Sequence, residues 1–475
     1  MDKGVGARVH AARSFVLLGH RPRHTKPCRP RSITRTVGAA ADDKISSRIG
    51  SWVSDDYNVD FAREYDRSIA DLWTDENNNG CIVLSRSENK LNSRLLADEL
   101  SKPVTIPPER LGYEDYKGNA ELRQAVADYA SSTFVRNVQI ERDHLCVSAG
   151  CGAVIENTSL ALCDWGDLAL VPAPYYSFFD RDLGMRAGVK ILPVFSSTTT
   201  GSLNVQDFEK CFQTATERGK SPRLLLLTNP NNPLGTVYSS KQYLDLLAWA
   251  AGRNLHVISD EIYANSIFGE SGRRAFISAL DLEPQLLRMG LSQFVSNNLH
   301  VVFGFTKDFG AAGLRIGCLH TRNAQLIKAW NALGYQCAIS THTQYAFTRI
   351  LRNQTFVAHF LAENAAALRK THGALTSALE RANISYQDSS AGLFVWIDLR
   401  HLLETPSFES ERTLWQRLAQ DCRVLLSPGQ FFHSKEPGFF RLCFAWMDPD
   451  ALSVAVERLS KYEPRQNEAG GENKR

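Results

Sequence analysis

The segment Phe305-Thr-Lys307-Asp-Phe-Gly310, followed by Arg315, holds residue types from which carbonyl chemistry can be built. It comes directly after Leu299-His-Val-Val-Phe-Gly304, an apolar run that reads as a buried strand. A lysine at the mouth of such a strand is poorly solvated. Desolvation lowers its pKa and leaves a neutral amine able to condense with an aldehyde. The arginine supplies a planar fork suited to a phosphate. An amine beside a phosphate-binding cation is what pyridoxal phosphate (PLP) requires. The competing reading is a surface Lys–Asp pair in a Gly-rich loop, and the rest of the chain decides between the two.

Other strand ends carry matching groups. Ala149-Gly-Cys-Gly152-Ala153 reads as a strand-to-helix turn, whose backbone N–H groups can hold a phosphate. Tyr176, in Pro172-Ala-Pro-Tyr-Tyr176, can stack on a flat heteroaromatic ring or simply pack its loop. In Asn229-Pro-Asn-Asn232-Pro-Leu-Gly235, two Asn-Pro steps rigidify a turn, so the Asn232 amide can donate to a phenolate oxygen. Asp260 ends an apolar run, where a carboxylate is costly unless paired. A protonated pyridine nitrogen is a suitable partner; a helix N-cap is the alternative. Tyr263 can reach the same phenolate as Asn232. Arg441 opens the apolar run after Gly438-Phe-Phe and can clamp a substrate carboxylate, or serve a structural ion pair.

These groups need a scaffold. Apolar runs at Leu145–Ala149, Leu168–Val171, Lys190–Val194, Leu224–Thr228, His256–Ser259, Val301–Phe305 and Gly317–Thr321 read as strands. Helical periodicity at Glu121–Ser131, Val154–Cys163 and Lys241–Arg253 separates them. Strands apolar throughout, alternating with helices, predict an α/β fold with a mostly parallel seven-stranded sheet covered on both faces. Ligands of such folds sit beyond the carboxyl ends of the strands. The expected organisation is a large domain at 110–335 and a smaller α+β domain from 50–109 and 336–462.

With 475 residues, 43% apolar content and 22% charge, the chain is expected to be globular and large enough for two domains. A net charge of +3 gives no argument for nucleic acid, and no apolar run is long enough to span a bilayer. The ten cysteines include no C-x-x-C pair, so no metal site is expected. Ala149-Gly-Cys-Gly-Ala-Val lacks a full G-x-G-x-x-G, which disfavours a dinucleotide-binding oxidoreductase. Among the first 40 residues, nine are Lys or Arg and only Asp2 is acidic. This reads as a disordered basic extension (1–45) of a cytoplasmic protein, or as a mitochondrial transit peptide. The polar residues 463–475 read as a disordered tail.

The order of these groups resembles the class I/II aminotransferases of the PLP fold-type-I superfamily, over roughly residues 80 to 460. Within it the chain is similar to 1-aminocyclopropane-1-carboxylate synthases. The similarity rests on Val171-Pro-Ala-Pro-Tyr-Tyr-Ser-Phe-Phe-Asp-Arg-Asp182, Thr228-Asn-Pro-Asn-Asn-Pro-Leu-Gly-Thr236 and Ser427-Pro-Gly-Gln through Arg441-Leu-Cys-Phe444. Ser87-Glu88-Asn89 and Tyr113-Glu-Asp-Tyr116-Lys-Gly118 match two further segments. The resemblance implies PLP carried on Lys307, which also shuttles the proton. Asp260 is implied at the pyridine nitrogen, with Asn232 and Tyr263 at the phenolate oxygen and Tyr176 on the ring. Gly152, Ala153 and Arg315 are implied at the phosphate, Arg441 at the substrate carboxylate and Glu88 near the substrate. Tyr116 is implied to reach the neighbouring subunit's cofactor, making a homodimer with shared sites. The implied activity is transamination of an amino acid, with synthase-like γ-elimination from S-adenosylmethionine, or C–S cleavage, as alternatives; an inert homologue is disfavoured by the intact set. Two positions depart from the pattern. Gly304 stands where the family usually has a phosphate-contacting serine. Leu84-Ser-Arg86-Ser stands where synthases usually carry Gly-Leu-Ala, with Arg86 near the substrate entrance.

Overall fold

A computed structural model describes residues 57–197 and 203–463. The basic extension at 1–45 and the tail beyond residue 463 lie outside these residues. Seven strands form the large sheet: β1 (Leu145–Ala149), β2 (Leu168–Ala173), β3 (Lys190–Phe195), β4 (Pro222–Thr228), β5 (His256–Asp260), β6 (Leu299–Gly304) and β7 (Ile316–Thr321). Their order is β1-β7-β6-β5-β4-β2-β3. The pairs β2–β3, β2–β4, β4–β5 and β5–β6 are parallel, whereas β7 runs antiparallel to β6 and β1. The fold is the expected α/β architecture, and every expected strand is present.

The apolar runs form strands because both faces are covered. Leu224 to Leu227 in β4 are all fully buried. Leu225 and Leu227 join one core cluster, Leu224 and Leu226 another on the opposite face. Burial of each such side chain contributes about 1.5–3 kcal/mol. The covering helices include α1 (Ala120–Thr133), α2 (Cys151–Leu162) and α3 (Ser240–Gly252). Asn119 Oδ1 caps α1 by accepting from Leu122 N at 2.8 Å, and Ser239 Oγ caps α3 by accepting from Gln242 N at 3.3 Å.

A smaller antiparallel sheet follows the helices α4 (Thr341–Arg352) and α5 (Gln354–Arg381). Its strands β8 (Ser385–Gln387), β9 (Phe394–Asp398), β10 (Ser427–Pro428) and β11 (Phe439–Cys443) lie in the order β10-β11-β9-β8. Ile82–Val83 pairs in parallel with Val424–Leu425. The packing does not break at residue 335. Ile339, Phe347, Ile350, Leu351, Val357 and Phe360 belong to the core of the large sheet, and so does Leu96. The second core takes Leu368, Leu375 and Leu379 from the far half of α5. Helical periodicity announces an apolar face but not the surface that covers it, so α5 serves both cores. No helix among the described residues is long and apolar enough to cross a membrane.

Candidate active site

The sheet brings its polar ends to one edge. Thr228 pairs with Asp260, Asp260 with Val302, and Gly304 with Gly317. The turn after β4, the end of β5 and the loop after β6 are therefore neighbours. Lys307 lies on that loop. Phe305 and Phe309, both buried, anchor it against Phe347 and Phe360, with ring centroids 4.5 and 4.8 Å apart respectively. Asp308 is 2% exposed; Ser266 Oγ donates to one carboxylate oxygen at 2.7 Å and Asn265 N to the other at 3.0 Å. This is no surface Lys–Asp pair: the aspartate faces inward and fixes the loop. The half-buried Lys307 Nζ donates to the Ser87 carbonyl. Burial, then the positive charge of Arg441, bring its pKa down to about 8.

Asp260 is buried and its Oδ1 accepts from Ile262 N at 3.2 Å. Burial pushes its pKa up to about 7, and Asp182 adds to the rise. Arg441 follows Phe440 in β11, and the strand's alternation sends Phe440 and Leu442 into the second core. The Arg441 guanidinium donates to Asn232 Oδ1 at 3.1 Å and to the Ser85 carbonyl at 2.7 Å. It lies over the rings of Phe432 and Phe394, 4.7 and 5.2 Å from their centroids. Its Nε has no partner among the described residues. The Tyr263 hydroxyl is 3.2 Å from Ser87 Oγ, and burial raises its pKa. Tyr176 stacks on Phe178 at 5.5 Å, within electrostatic range of Asp182, Arg441 and Asp260. The structure thus gathers Lys307, Asp260, Asn232, Tyr263, Tyr176 and Arg441.

Beside this cluster, Gly150 precedes α2 with φ +93°, and a Cβ there would come within 2.6 Å of an Arg315 nitrogen. Arg315 donates to the carbonyls of Ala149 and Ala312, both at 3.3 Å. Its fork therefore lies against the helix start that carries Gly152 and Ala153, whose N–H groups have no carbonyl within the helix. Gly304 has a packing reason. A Cβ there would sit 2.7 Å from Ile316 O and 2.9 Å from Cys151 Sγ, and Cys151 Sγ itself donates to Phe303 O at 3.2 Å. Gly304→Ser is therefore expected to lower stability by about 1–3 kcal/mol, measured by denaturant unfolding; an unchanged midpoint would show that the site can widen.

Glu88 lies near enough to raise the Lys307 pKa and is paired with Arg86 at 2.8 Å. No hydrogen bond or ring contact joins Tyr116 to the cluster among the described residues; its ring meets Tyr335 edge-on at 5.4 Å. Two participants were not singled out from sequence. Ser85 and Ser87 act mainly through backbone carbonyls, which every residue type carries, so no side-chain signal marks them.

A family model described as aminotransferase class I and II matches residues 80–459. The chain belongs to this family. A 1-aminocyclopropane-1-carboxylate synthase from Glycine max is 35% identical over 398 residues, covering 82% of this chain and 81% of the relative. 1-Aminocyclopropane-1-carboxylate synthase 9 of Arabidopsis thaliana is 32% identical over 444 residues, covering 91% of each. Among solved structures, aspartate aminotransferases from Thermus thermophilus and Thermotoga maritima superpose with TM-scores of 0.70 and 0.67. Both are 20% identical, with 87% of this chain and 98% of theirs covered, which establishes a shared fold. Enzymes of the family are PLP-dependent. The residues present fit that group: a helix start flanked by a guanidinium, a buried carboxyl with free lone pairs, and an amine of lowered pKa.

Proposed function

We propose that this family member is an aminotransferase that works at the α-carbon of an amino acid, with Lys307 as both cofactor anchor and base. The observation that carries the reading is Lys307 itself: a half-buried amine with pKa lowered to about 8, in one cluster with Asp260 and Arg441. In this reading Gly152, Ala153 and Arg315 hold the PLP phosphate, Tyr176 stacks on the ring, and Asn232 and Tyr263 hold its phenolate oxygen. Asp260 keeps the ring nitrogen protonated. PLP, when bound, supplies an electron sink for the pair left at the α-carbon. Lys307 Nζ would take the α-proton and return it to the carbon on the far side of the amino nitrogen, two bonds away. Release of the carbon chain as a keto acid would consume one water to break its C=N bond, and uptake of a second keto acid, which collects the amino group, would return one.

Arg441 binds the substrate carboxylate. Its pKa is lowered by burial, and Asn232 and Ser85 hold its fork in place. Arg441→Lys replaces a fork by a point charge. The expected result is a KM for the amino acid raised roughly 10–100-fold, the loss of one charged hydrogen bond; an unchanged KM would remove Arg441 from this role.

The similarity to 1-aminocyclopropane-1-carboxylate synthases favours a second reading, loss of a γ-substituent from S-adenosylmethionine. Arg86, whose chain neighbours Ser85 and Ser87 contact Arg441 and Lys307, opposes it, because its charge repels a sulfonium cation. Incubating the holoenzyme separately with an amino acid plus a keto acid, S-adenosylmethionine and a cysteine S-conjugate decides. Keto acid as sole product supports transamination. A cyclopropane amino acid or a thiol would replace that reading with elimination.

The same reading makes the protein a homodimer with shared sites, Tyr116 reaching the partner's cofactor. Support comes from the exposed apolar side chains Leu111 (73%), Tyr113 (93%) and Tyr335 (61%) close to Tyr116 in sequence or contact.

A further inference from the structure

We infer that Arg86, framed by Tyr65 and Trp446, recognises an anionic group at the far end of the substrate, so that the preferred amino acid carries a second carboxylate. The inference rests on the proposed roles of Lys307 and Arg441.

The segment from Ser85 to Asn89 runs along the active site. The carbonyl of Ser85 binds Arg441 and that of Ser87 binds Lys307. Arg86 is the residue between them, next in the chain to both contact points. Its guanidinium donates to Tyr65 OH at 2.6 Å and pairs with Glu88 Oε1 at 2.8 Å. Its centre is 5.9 Å from the Tyr65 ring and 5.8 Å from the Trp446 ring. Lys90 Nζ lies 4.3 Å from the Trp446 centroid. Aromatic contacts of this kind hold a cation in place while leaving its N–H groups free.

Three features favour an anion over a cation. The Arg86 side chain is 42% exposed and two of its five N–H groups are engaged, so donors remain for a ligand. Two cations, Arg86 and Lys90, share the Trp446 ring, and a single carboxylate, Glu88, pairs with Arg86. A cationic ligand would have to break the Arg86–Glu88 pair and then lie beside both cations. An anionic ligand needs only to share or displace Glu88. A carboxylate matches the planar fork, and Arg441 at the other end of the substrate gives the molecule a defined direction.

The test uses PLP-loaded protein and α-methyl amino acids, which lack an α-proton and so report binding without turnover. α-Methylaspartate, α-methylglutamate, α-methylleucine and α-methylornithine are titrated while the cofactor's visible absorbance is followed. An acidic ligand is expected to bind at least about tenfold tighter than the neutral one. Arg86→Gln is expected to lower the acidic-to-neutral preference by about tenfold, and Arg86→Lys by less. Glu88→Gln, which removes the competing carboxylate, is expected to raise it. Opposite directions for the Arg86 and Glu88 variants separate recognition from general disruption, which would lower both. Equal binding of acidic and neutral ligands, tighter binding of α-methylornithine, or the same direction for both variants would overturn the role of Arg86 and leave that of Lys307 standing. Failure of every ligand to perturb the bound cofactor would overturn both.

Discussion

Lys307→Ala is expected to lose at least about 10⁴-fold in turnover and to keep its fold, because it removes the base along with the covalent anchor. The side chain is half-buried and holds a single carbonyl, that of Ser87. Its loop is fixed by other groups: the buried Phe305 and Phe309, and Asp308 bonded to Asn265 and Ser266. Burial already disfavours the ammonium form, so truncation forfeits little stability. The measurements are turnover and a thermal melt of the cofactor-free protein. A variant with near-normal turnover would contradict the assignment of the base. A variant that no longer folds would show that Lys307 carries structure as well as chemistry.

Asp260→Asn is expected to separate stability from function. The carboxyl is buried among apolar strands and its pKa is pushed up to about 7 by burial, with Asp182 adding to the rise. An unfolded aspartate titrates near pH 4. Between these values the native cofactor-free protein holds a proton that the unfolded chain has released. The associated stability is fully present below about pH 4 and is lost as pH rises through about 7, at about 1.4 kcal/mol per pH unit. Asparagine has no such proton to lose. The cofactor-free variant is therefore expected to gain on the wild type progressively from pH 4 to 7, with no further gain above that. With cofactor the order reverses, since the variant lacks the charge that pairs with a protonated ring nitrogen. Breaking such a buried pair costs about 3–5 kcal/mol, so PLP should bind at least about 100-fold more weakly. Paired urea titrations across this pH range, and PLP titrations at neutral pH, check both halves. Unchanged PLP affinity would show that Asp260 is a structural carboxyl.

The strands could be read from the sequence because burial on both faces leaves continuous apolar runs, as in Leu224 to Leu227 and Leu299 to Gly304. The residues that end those runs were legible for the same reason, since a polar group there interrupts the pattern; Asp260 is the clearest case. Strand direction leaves no such mark, and β7 runs against both of its neighbours. Nor does helical periodicity identify the covering surface, which is why residues 339–360 pack on the large sheet instead of with the smaller one. Gly304 was legible as a departure but not as a fit: the sulfur of Cys151, far away in sequence, fills the space that a Cβ would need. The carbonyls of Ser85 and Ser87 were invisible because a backbone contact depends on path rather than residue type. Glu88 and Tyr116 were reached only through resemblance. Geometry now places Glu88 on Arg86 and within electrostatic range of Lys307, and it places Tyr116 against Tyr335.

The central claim is that Lys307 carries the cofactor. The most direct measurement is to load the protein with PLP, reduce it with borohydride, digest it, and locate the pyridoxyl group by mass spectrometry. Stoichiometric labelling of the peptide containing Lys307 is expected, with no labelling in Lys307→Ala. Labelling of a different lysine, or equal labelling in the variant, would contradict the claim.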